Sequence, residues 1–227
     1  MSKDLSQKTL GIIHATHISI APASKYAQEF IPEVQVMHLC DDTIQRDNLA
    51  SPVGTIPKHN FSKFAQYAHN LEEAGCDMIL LACSTFNRAA ELAAPMINIP
   101  ILQIDRTMME LAVSCGNRVG MLATLPTTIP ASERLLYKAA EDAGKEITVK
   151  TVLLSEAFQE LLKGNVDKHN EMLIEAVNEL SEEVDSIVLA QLSMSALAPL
   201  LTDTKVPVFN SGATAFPRIR QMLEQMD

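Results

Sequence analysis

The feature that most constrains the fold is a strand-and-helix pattern that occurs once in each half of the chain. Residues 77–83 (DMILLAC) and 185–191 (DSIVLAQ) share four of seven amino acids at an offset of 108. Residues 10–13 (LGII) and 119–122 (VGML) form a second similar pair at an offset of 109. Each copy of the first motif follows a long amphipathic stretch and precedes a short helix and a strand with a proline at its start. Such a repeat predicts two related halves of about 105 residues each.

Short continuous runs of Ile, Val and Leu predict strands that are covered on both faces, as in parallel sheets. These runs are residues 10–14, 34–38, 78–82, 99–104, 119–123, 147–153, 187–190 and 206–209. Between them, apolar residues at helical spacing predict helices at 60–74, 132–143 and 167–183, the second beginning just after Pro130. Gly75 and Gly144 follow two of these helices, at the position where glycine favours helix termination.

Strands that alternate with helices predict an α/β fold. We expect two similar three-layer α/β/α halves with parallel sheets, related by a pseudo-two-fold axis. Residues 1–105 would form the first half, completed by a C-terminal helix at 211–227, and residues 106–210 would form the second. Because open parallel sheets bind ligands beyond the carboxyl ends of their strands, a ligand cleft is predicted between the halves.

Composition excludes several classes of function. The chain carries 18 Lys and Arg against 28 Asp and Glu, and this net charge of −10 disfavours nucleic acid and anionic membranes as partners. The polar start (MSKDLSQKT) lacks the apolar segment of a signal peptide, and no apolar run reaches 18 residues. The glycines fit neither a dinucleotide-binding nor a P-loop motif, so no nucleotide cofactor is expected. These features predict a soluble, cytoplasmic globular protein.

Cys83 is the side chain that most strongly indicates chemistry. It stands at the end of a predicted strand and is followed by residue types that suit a helix start. A thiol at a helix N-terminus is favoured as thiolate, which lowers its pKa from about 8.5 toward neutrality. Such a group can take or give a proton or attack an electrophile. The other role of a cysteine is that of a small buried apolar side chain, which we expect for Cys40, Cys76 and Cys115.

Hydroxyl and amide groups are expected around Cys83, on both sides of the predicted cleft. Backbone N–H groups at helix starts together with hydroxyls make a seat that suits a carboxylate. Taken one at a time, the same side chains would serve as ordinary helix caps. The candidate substrate-binding residues are Ser84, Thr85, Thr124, Thr127, Thr128, Leu192 and Ser193, with Gln191 facing Cys83.

Three short motifs, residues 81–85 (LACST), 123–127 (ATLPT) and 189–194 (LAQLSM), resemble the aspartate/glutamate/hydantoin racemase superfamily. The likeness covers nearly the whole chain, with the motifs in the order of that family. There, two cysteines, one per half, stand on either face of the substrate α-carbon and exchange a proton without a cofactor. The resemblance implies that Cys83 is the first of these cysteines. It also implies that Ser84, Thr85, Thr127 and the turn at 192–193 hold a carboxylate, and that the protein is a homodimer.

The chain departs from that family at the second cysteine, which falls on Gln191. An amide cannot take or give a proton near neutral pH. Arylmalonate decarboxylases are relatives with one thiol, but they keep the second-half cysteine whereas this chain keeps the first. His14, at the end of a predicted strand, and His17 could supply the missing acid, although a structural role is the more common one for histidines in such positions. No third ligand accompanies this histidine pair, so no metal site is predicted.

Three functions follow from these residues. The first is a racemase or epimerase of a small carboxylic acid, with Cys83 and a non-cysteine partner as acid and base. The second is a lyase, such as a decarboxylase, in which Cys83 alone protonates an enolate-like intermediate. The third is a non-catalytic protein that binds a small acid. Arg46 could meet a second acidic group on the ligand or could be a solvated loop residue.

Overall fold

The computed structural model describes residues 3–226. Its described residues divide into two compact units, one containing residues 3–104 and 212–226 and the other Asp105–Ser211. No helix in the described part of the chain is long and apolar enough to span a membrane.

The first unit is built on a four-stranded parallel sheet with the order β2-β1-β3-β4. Its strands are β1 (Thr9–His14), β2 (Gln35–Cys40), β3 (Met78–Leu81) and β4 (Ile101–Gln103). Its helices are α1 (Ile20–Phe30), α2 (Asp42–Leu49), α3 (Lys58–Glu73) and α4 (Asn87–Ala93). Short 3₁₀ turns span His17–Ser19, Ser84–Phe86 and Ala94–Met96.

The second unit repeats this arrangement with the order β6-β5-β7-β8, again all parallel. Its strands are β5 (Arg118–Ala123), β6 (Thr148–Leu153), β7 (Ser186–Leu189) and β8 (Val208–Asn210). Its helices are α5 (Arg106–Cys115), α6 (Ile129–Asp142), α7 (Ser155–Leu162) and α8 (Val166–Leu180). The 3₁₀ segments are Pro126–Thr128 and Leu192–Leu200. Both sheets have helices alongside, so the predicted α/β fold class is confirmed.

A glycine in each central strand lets a helix pack directly on the sheet. A Cβ atom added at Gly11 of β1 would come within 2.8 Å of Leu71 Cδ1 in α3. A Cβ atom added at Gly120 of β5 would come within 2.7 Å of Leu180 Cδ2 in α8. Both distances are shorter than real carbon–carbon contacts, so a larger residue would require the leucine side chain or its helix to shift. The glycine repeated in residues 10–13 and 119–122 therefore has a packing cause.

The C-terminal helix α9 (Ser211–Gln225) completes the first unit by packing on α1. The ring of Phe216 stacks on that of Tyr26, with centroids 6.0 Å apart. Arg220 donates hydrogen bonds to a Glu33 carboxylate oxygen at 2.7 Å and to the Phe30 carbonyl oxygen at 2.9 Å. The chain thus returns to its first unit after completing the second.

Two details of the sequence interpretation were wrong. Helix α6 begins at Ile129, so Pro130 lies in its first turn, where a missing N–H costs nothing, rather than before it. Strands β2 and β6 contain no buried residue, so they are not covered on both faces. Each lies at one edge of its sheet, as β4 and β8 do at the other, and has a neighbour on one side only.

Candidate active site

Cys83 lies two residues beyond the end of β3, at the start of the 3₁₀ turn Ser84–Phe86 that leads into α4. Its extended backbone (φ −156°, ψ 106°) places it at the N-cap, and its carbonyl oxygen accepts from Phe86 N–H at 3.1 Å. The residue is half-buried and packs against the apolar cluster of the first unit. This is the strand-to-helix position predicted from the sequence.

Gln191 occupies the same position in the second unit. It lies two residues beyond the end of β7, with extended backbone (φ −138°, ψ 137°) at the N-cap of the 3₁₀ segment Leu192–Leu200. Its carbonyl oxygen accepts from Met194 N–H at 3.0 Å, as that of Cys83 does from Phe86. The repeat seen in the sequence therefore corresponds to a repeated backbone turn, with a thiol in one copy and an amide in the other.

The Gln191 side chain is held by Thr124, at the end of β5. Its Oε1 accepts from the Thr124 backbone N–H at 2.6 Å and from Thr124 Oγ1 at 3.1 Å. Both residues are buried. Because the carbonyl oxygen is used by these two donors, the amide NH₂ is left as the end that can donate to a ligand.

The residue equivalent to Thr124 in the first unit is Ala15, 109 positions earlier. Ile13 of β1 is paired with Leu81 of β3, which brings Ala15 alongside Cys83. Ala15 is buried in the hydrophobic cluster that also packs against Cys83. The thiol thus has an apolar neighbour where the amide has a hydroxyl.

The predicted hydroxyl groups are distributed over both units. Ser84 is buried and Thr85 half-buried in the turn that follows Cys83. In the second unit, Thr127 and Thr128 are buried in the 3₁₀ turn after β5. Leu192 is buried and Ser193 half-buried in the turn after β7. Within each unit these residues lie at the carboxyl edge of the parallel sheet, where ligands of open α/β sheets bind.

His14 is fully buried at the end of β1, with both ring nitrogens engaged. Its Nδ1 lies 2.7 Å from Ser19 Oγ and its Nε2 lies 2.9 Å from His38 Nδ1. Ser19 Oγ donates its hydrogen to the Thr16 carbonyl oxygen, so it accepts from His14 Nδ1–H. His14 Nε2 then accepts from His38. Burial, aided by the neighbouring His38, lowers the pKa of His14 to about 4, which keeps it neutral near pH 7.

Successive side chains of β1 point to opposite faces of the sheet, and this places His14 and the Cys83 thiol on different faces. Ile13 and Ala15, on either side of it, belong to the cluster that packs against Cys83. His14 therefore points to the opposite face of the sheet, toward α1. His17 is exposed, with Nδ1 3.1 Å from Asp42 Oδ1. Arg46 is also exposed, and its guanidinium donates to Asp47 at 2.8 Å.

The other cysteines differ from Cys83 in setting. Cys76 is buried, and burial together with Asp77 raises the pKa of its thiol. Cys40, at the end of β2, and Cys115, at the end of α5, are exposed, so the expectation that they are buried was wrong. Although Cys40 is exposed overall, loss of water around its thiol on the protein side, together with the carboxylates of Asp42 and Asp41, raises the pKa of that thiol. Within residues 3–226, no three His, Cys, Asp or Glu side chains are arranged to hold a metal ion.

Sequence reasoning missed a group of polar side chains at the carboxyl edge of the first sheet. Asp41 accepts from Thr43 N–H at 2.9 Å and from Tyr67 Oη at 2.7 Å. Partial burial opposes ionisation, but hydrogen bonds from Thr43, Tyr67 and Lys63 prevail and lower the pKa of Asp41 to about 2. These contacts tie the start of α2 to α3. The available signal was the Asp-Asp-Thr sequence at 41–43, three residues beyond the end of the predicted strand 34–38.

Three asparagines were also missed. Asn48, Asn60 and Asn87 are buried, on helices α2, α3 and α4. The buried residues of α3 are Asn60, Phe64, Ala68 and Leu71, so an amide holds the first place in an apolar stripe. A polar residue at an apolar position of a helical pattern was the signal that could have found it.

Solved structures share this two-unit architecture. A glutamate racemase from Francisella tularensis subsp. tularensis SCHU S4, solved with D-glutamate, is 19% identical with a TM-score of 0.69, covering 96% of this chain and 82% of that one. An aspartate racemase homologue from Pyrococcus horikoshii OT3 is 21% identical with a TM-score of 0.72, covering 96% and 100%. An allantoin racemase from Klebsiella pneumoniae is 19% identical with a TM-score of 0.66, covering 95% and 87%. At these identities the likeness establishes the fold.

Fold and turn geometry thus define an α/β protein of duplicated design, with one thiol and one amide at equivalent turns. The Asp/Glu/Hydantoin racemase family model matches residues 27–218, most of the chain. The protein belongs to the Asp/Glu/Hydantoin racemase family, as the sequence motifs predicted.

Proposed function

We propose that this protein is a cofactor-independent racemase or epimerase that moves a proton at the carbon α to the carboxylate of a small acid. Cys83 is the acid/base. The observation that carries this proposal is the half-buried thiol at a strand-to-helix turn in a chain of this family. Membership of the Asp/Glu/Hydantoin racemase family supports an isomerase activity. The acid/base role of Cys83 is the part of the proposal that goes beyond this membership.

In the proposed reaction, the Cys83 thiolate removes the α-proton and becomes a thiol. The electron pair left on the carbon moves into the carboxylate, which becomes an enediolate. Hydroxyls at Ser84 and Thr85 and the backbone N–H groups of the same turn are the donors that would stabilise this charge. Return of a proton to carbon regenerates the acid, so no net atom is gained or lost.

The Gln191 amide distinguishes this protein from a symmetric two-thiol enzyme. With its oxygen held by Thr124, its NH₂ can donate a hydrogen bond but cannot deliver a proton near neutral pH. We therefore expect proton exchange by Cys83 on one face to exceed inversion. The same observation favours a second candidate, a lyase in which Cys83 alone protonates the enediolate left by loss of CO₂.

Isotope exchange separates these functions. Single enantiomers of small α-amino and α-hydroxy acids in D₂O should gain α-deuterium, and NMR measures exchange while optical rotation measures inversion. α-Aryl malonates should instead release CO₂ and gain deuterium on one face if the protein is a lyase. Loss of these signals in Cys83→Ala supports the role of the thiol. Activity that persists in Cys83→Ala excludes the thiol as the acid/base. If an acid binds with the same affinity to the wild type and to Cys83→Ser, and no turnover is detected, the chain is a binding protein.

A further inference from the structure

Strand β2 (Gln35–Cys40) is an uncovered edge of the first sheet. It pairs with β1 on one side only, and each of its six residues is exposed or half-buried. Its sequence, QVMHLC, contains no charged residue and no proline. Natural sheets protect their edges by short strands, charged side chains or proline, because an unprotected edge can pair with another chain. None of these three protections is present in β2.

The other three sheet edges of the described chain are protected. Strands β4 and β8 are only three residues long. Strand β6 is as long as β2 but carries Lys150, which forms an ion pair with Glu183. Pairing with the central strands makes Lys150 the equivalent of Met37 in β2. The edge left open for pairing is therefore that of β2.

The backbone groups on the free side of β2 belong to Val36, His38 and Cys40. At the two ends of the strand, the N–H groups of Gln35 and Asp41 both donate toward β1, each at 3.0 Å. Backbone groups of successive residues in a strand point alternately to one side and the other. The N–H and carbonyl groups of Val36, His38 and Cys40 therefore point outward. Among the described residues, none of them has a backbone partner on that side.

A second copy of the chain can satisfy all of these groups at once. In two β2 strands that run antiparallel about a two-fold axis at His38, Val36 of each copy lies opposite Cys40 of the other. His38 then lies opposite its own counterpart. Opposite residues whose backbone groups face each other exchange two hydrogen bonds, so these three pairs form six. Every outward N–H and carbonyl of both strands is used, and the symmetry closes the assembly at two chains.

The ring of His38 leaves the axis free for this backbone pairing. Its Nδ1 lies 2.9 Å from His14 Nε2 and its Nε2 lies 3.1 Å from Ser24 Oγ. Both ring nitrogens are thus engaged within one copy. The second copy needs only the backbone of His38.

The side chains beside the free edge are uncharged on both faces of the sheet. On the α1 face the edge borders a groove of about 210 Å³, lined by Ser24, Val36, His38 and five further uncharged residues. On the other face, the symmetric register places Met37 opposite Leu39 of the second copy. Met37 is 39% exposed, so it has apolar surface to bury there. Apolar pairs directly opposite each other stabilise antiparallel strands.

Charge restricts where two copies can meet. Each chain carries a net charge of −10, so the copies repel at long range. The carboxylates that flank β2 are already paired within one chain, Glu33 with Arg220 at 2.7 Å and Asp41 with Lys63 at 3.3 Å. A contact through uncharged β2 therefore brings no unpaired carboxylates together. The remaining long-range repulsion is screened by salt.

We infer that β2 is the contact surface for a second copy of this chain, and that the two four-stranded sheets join there into one sheet of eight strands. Six residues span about 20 Å, and the sheet with its α1 layer is about 20 Å deep, which gives roughly 800 Å² of contact from both copies. Standard interfaces bury about 1,200–2,000 Å², so a reversible dimer is expected, with a Kd in the micromolar range. Cys83 has no part in this contact, so the inference is independent of the proposed function.

Sedimentation velocity of the full chain tests the dimer. The protein should change from monomer to dimer between about 1 and 200 μM, and raising NaCl from about 50 to 500 mM should strengthen association. Met37→Lys gives β2 the charge that β6 has and should raise Kd at least tenfold. Thr148→Lys, at an exposed position of β6, adds the same charge to the other unit and should leave Kd unchanged.

A monomer at every concentration would overturn the inference and leave the β2 edge to a strand from another protein. Equal effects of the two lysine substitutions, or association that salt weakens, would also overturn it. The thermal midpoint of each variant shows whether it is folded.

Amide exchange of the unmodified chain locates the contact without any substitution. The N–H groups of Val36, His38 and Cys40 should exchange with D₂O about tenfold more slowly when nine-tenths of the chain is dimeric, because only the free tenth exchanges. The alternate residues of β2, bonded to β1, should be protected at all concentrations. NMR measures each amide. Exchange at these three amides that does not change as the dimer forms would place the contact elsewhere.

A cross-link tests the register. In a Cys115→Ala background, Val36→Cys places a thiol opposite Cys40 of the other copy, with Cα atoms about 5.5 Å apart, a separation that suits a disulfide. Diamide should then give a covalent dimer, with positions 36 and 40 joined in its peptide map. Gln35→Cys, which points to the opposite face, is the control and should give at least tenfold less. Equal cross-linking from positions 35 and 36 would overturn the register.

Discussion

The turn after β3 and the turn after β7 have the same backbone and different side chains. Cys83 and Gln191 are both extended N-cap residues whose carbonyls accept from the N–H three residues later, at 3.1 and 3.0 Å. The thiol packs beside apolar Ala15, whereas the amide is fixed by two hydrogen bonds from Thr124. The same backbone turn thus holds a thiol that can exchange a proton in one unit and an amide that can only donate a hydrogen bond in the other. The difference predicts unequal contributions of the two units to catalysis.

The largest difference is expected between the two turn residues themselves. Cys83→Ala should lower the rate of α-deuterium exchange by about 10³-fold, within the range of a lost general acid–base group. Gln191→Ala should lower it far less, because only a hydrogen bond is lost. Initial-rate NMR in D₂O measures both, with Cys115→Ala, at an exposed thiol, as the control. Equal losses in the two variants would contradict the assignment of proton transfer to the first unit alone.

The hydroxyls beside each turn give the next largest effect. Thr85→Val and Thr127→Val each remove one donor from the expected carboxylate seat while keeping side-chain shape. Losing one preorganised donor costs about 3 kcal/mol of transition-state stabilisation, or about 10²-fold in kcat/KM. Thr128→Val, at the neighbouring buried hydroxyl, tests whether the effect is specific to Thr127. A loss below threefold in either of the first two variants would remove that threonine from the seat.

Making the two turns alike should change the stereochemical outcome. Gln191→Cys places a thiol at the position equivalent to Cys83 and so restores the two-thiol pattern that the family resemblance implies. We expect the ratio of inversion to exchange to rise about tenfold, since a second group can then protonate carbon. Polarimetry and NMR on one sample give this ratio, and Gln191→Ser, without a proton-transfer group, is the control. An equal rise in the serine variant would attribute the change to lost packing.

His14 offers a further contrast, because its equivalent in the second unit is Ala123. Burial, and to a smaller extent the neighbouring His38, lowers the pKa of His14 from 6.5 to about 4. Between these two pH values the unfolded chain binds a proton at His14 that the folded chain does not. Stability should therefore fall as pH drops from 6.5 to 4, by about 3 kcal/mol for this residue. Urea unfolding of wild type and His14→Ala across that range measures it.

The variant should show a flatter pH profile, apart from the smaller contribution of His38, whose pKa burial also lowers. The same His14→Ala variant tests whether His14 supplies the second acid. Lost inversion with intact exchange would support that role, and unchanged rates would end it.

The sequence predicted the repeat and each of the eight strands found in residues 3–226, because buried parallel strands leave continuous apolar runs and the helices between them leave periodic ones. It also located Cys83 at the strand-to-helix turn. It did not predict the exposure of β2 and β6, although Gln35 and His38 in β2 and Lys150 in β6 interrupt the apolar runs and were the available signal. Nor could it predict the hydrogen bonds between Gln191 and Thr124, or that the buried side chain of Asn60 has no hydrogen-bond partner among the described residues. Those depend on which side chains of distant segments meet, which no local pattern records.

The smallest predicted effect is the loss of stability when the glycine that lets a helix pack on each sheet is replaced by alanine. Gly120→Ala would place a methyl 2.7 Å from Leu180 Cδ2 and 2.9 Å from its Cγ, whereas Gly11→Ala would place one 2.8 Å from the more movable end of Leu71 and 3.2 Å from its Cβ. Each should cost about 1–3 kcal/mol by overpacking, partly offset by the lower entropy of the unfolded chain. We expect the cost to be larger in the second unit. Hydrogen–deuterium exchange should show faster exchange in β5 and α8 for Gly120→Ala and in β1 and α3 for Gly11→Ala. Exchange that rises in both units for either variant would show that the two sheets do not unfold independently.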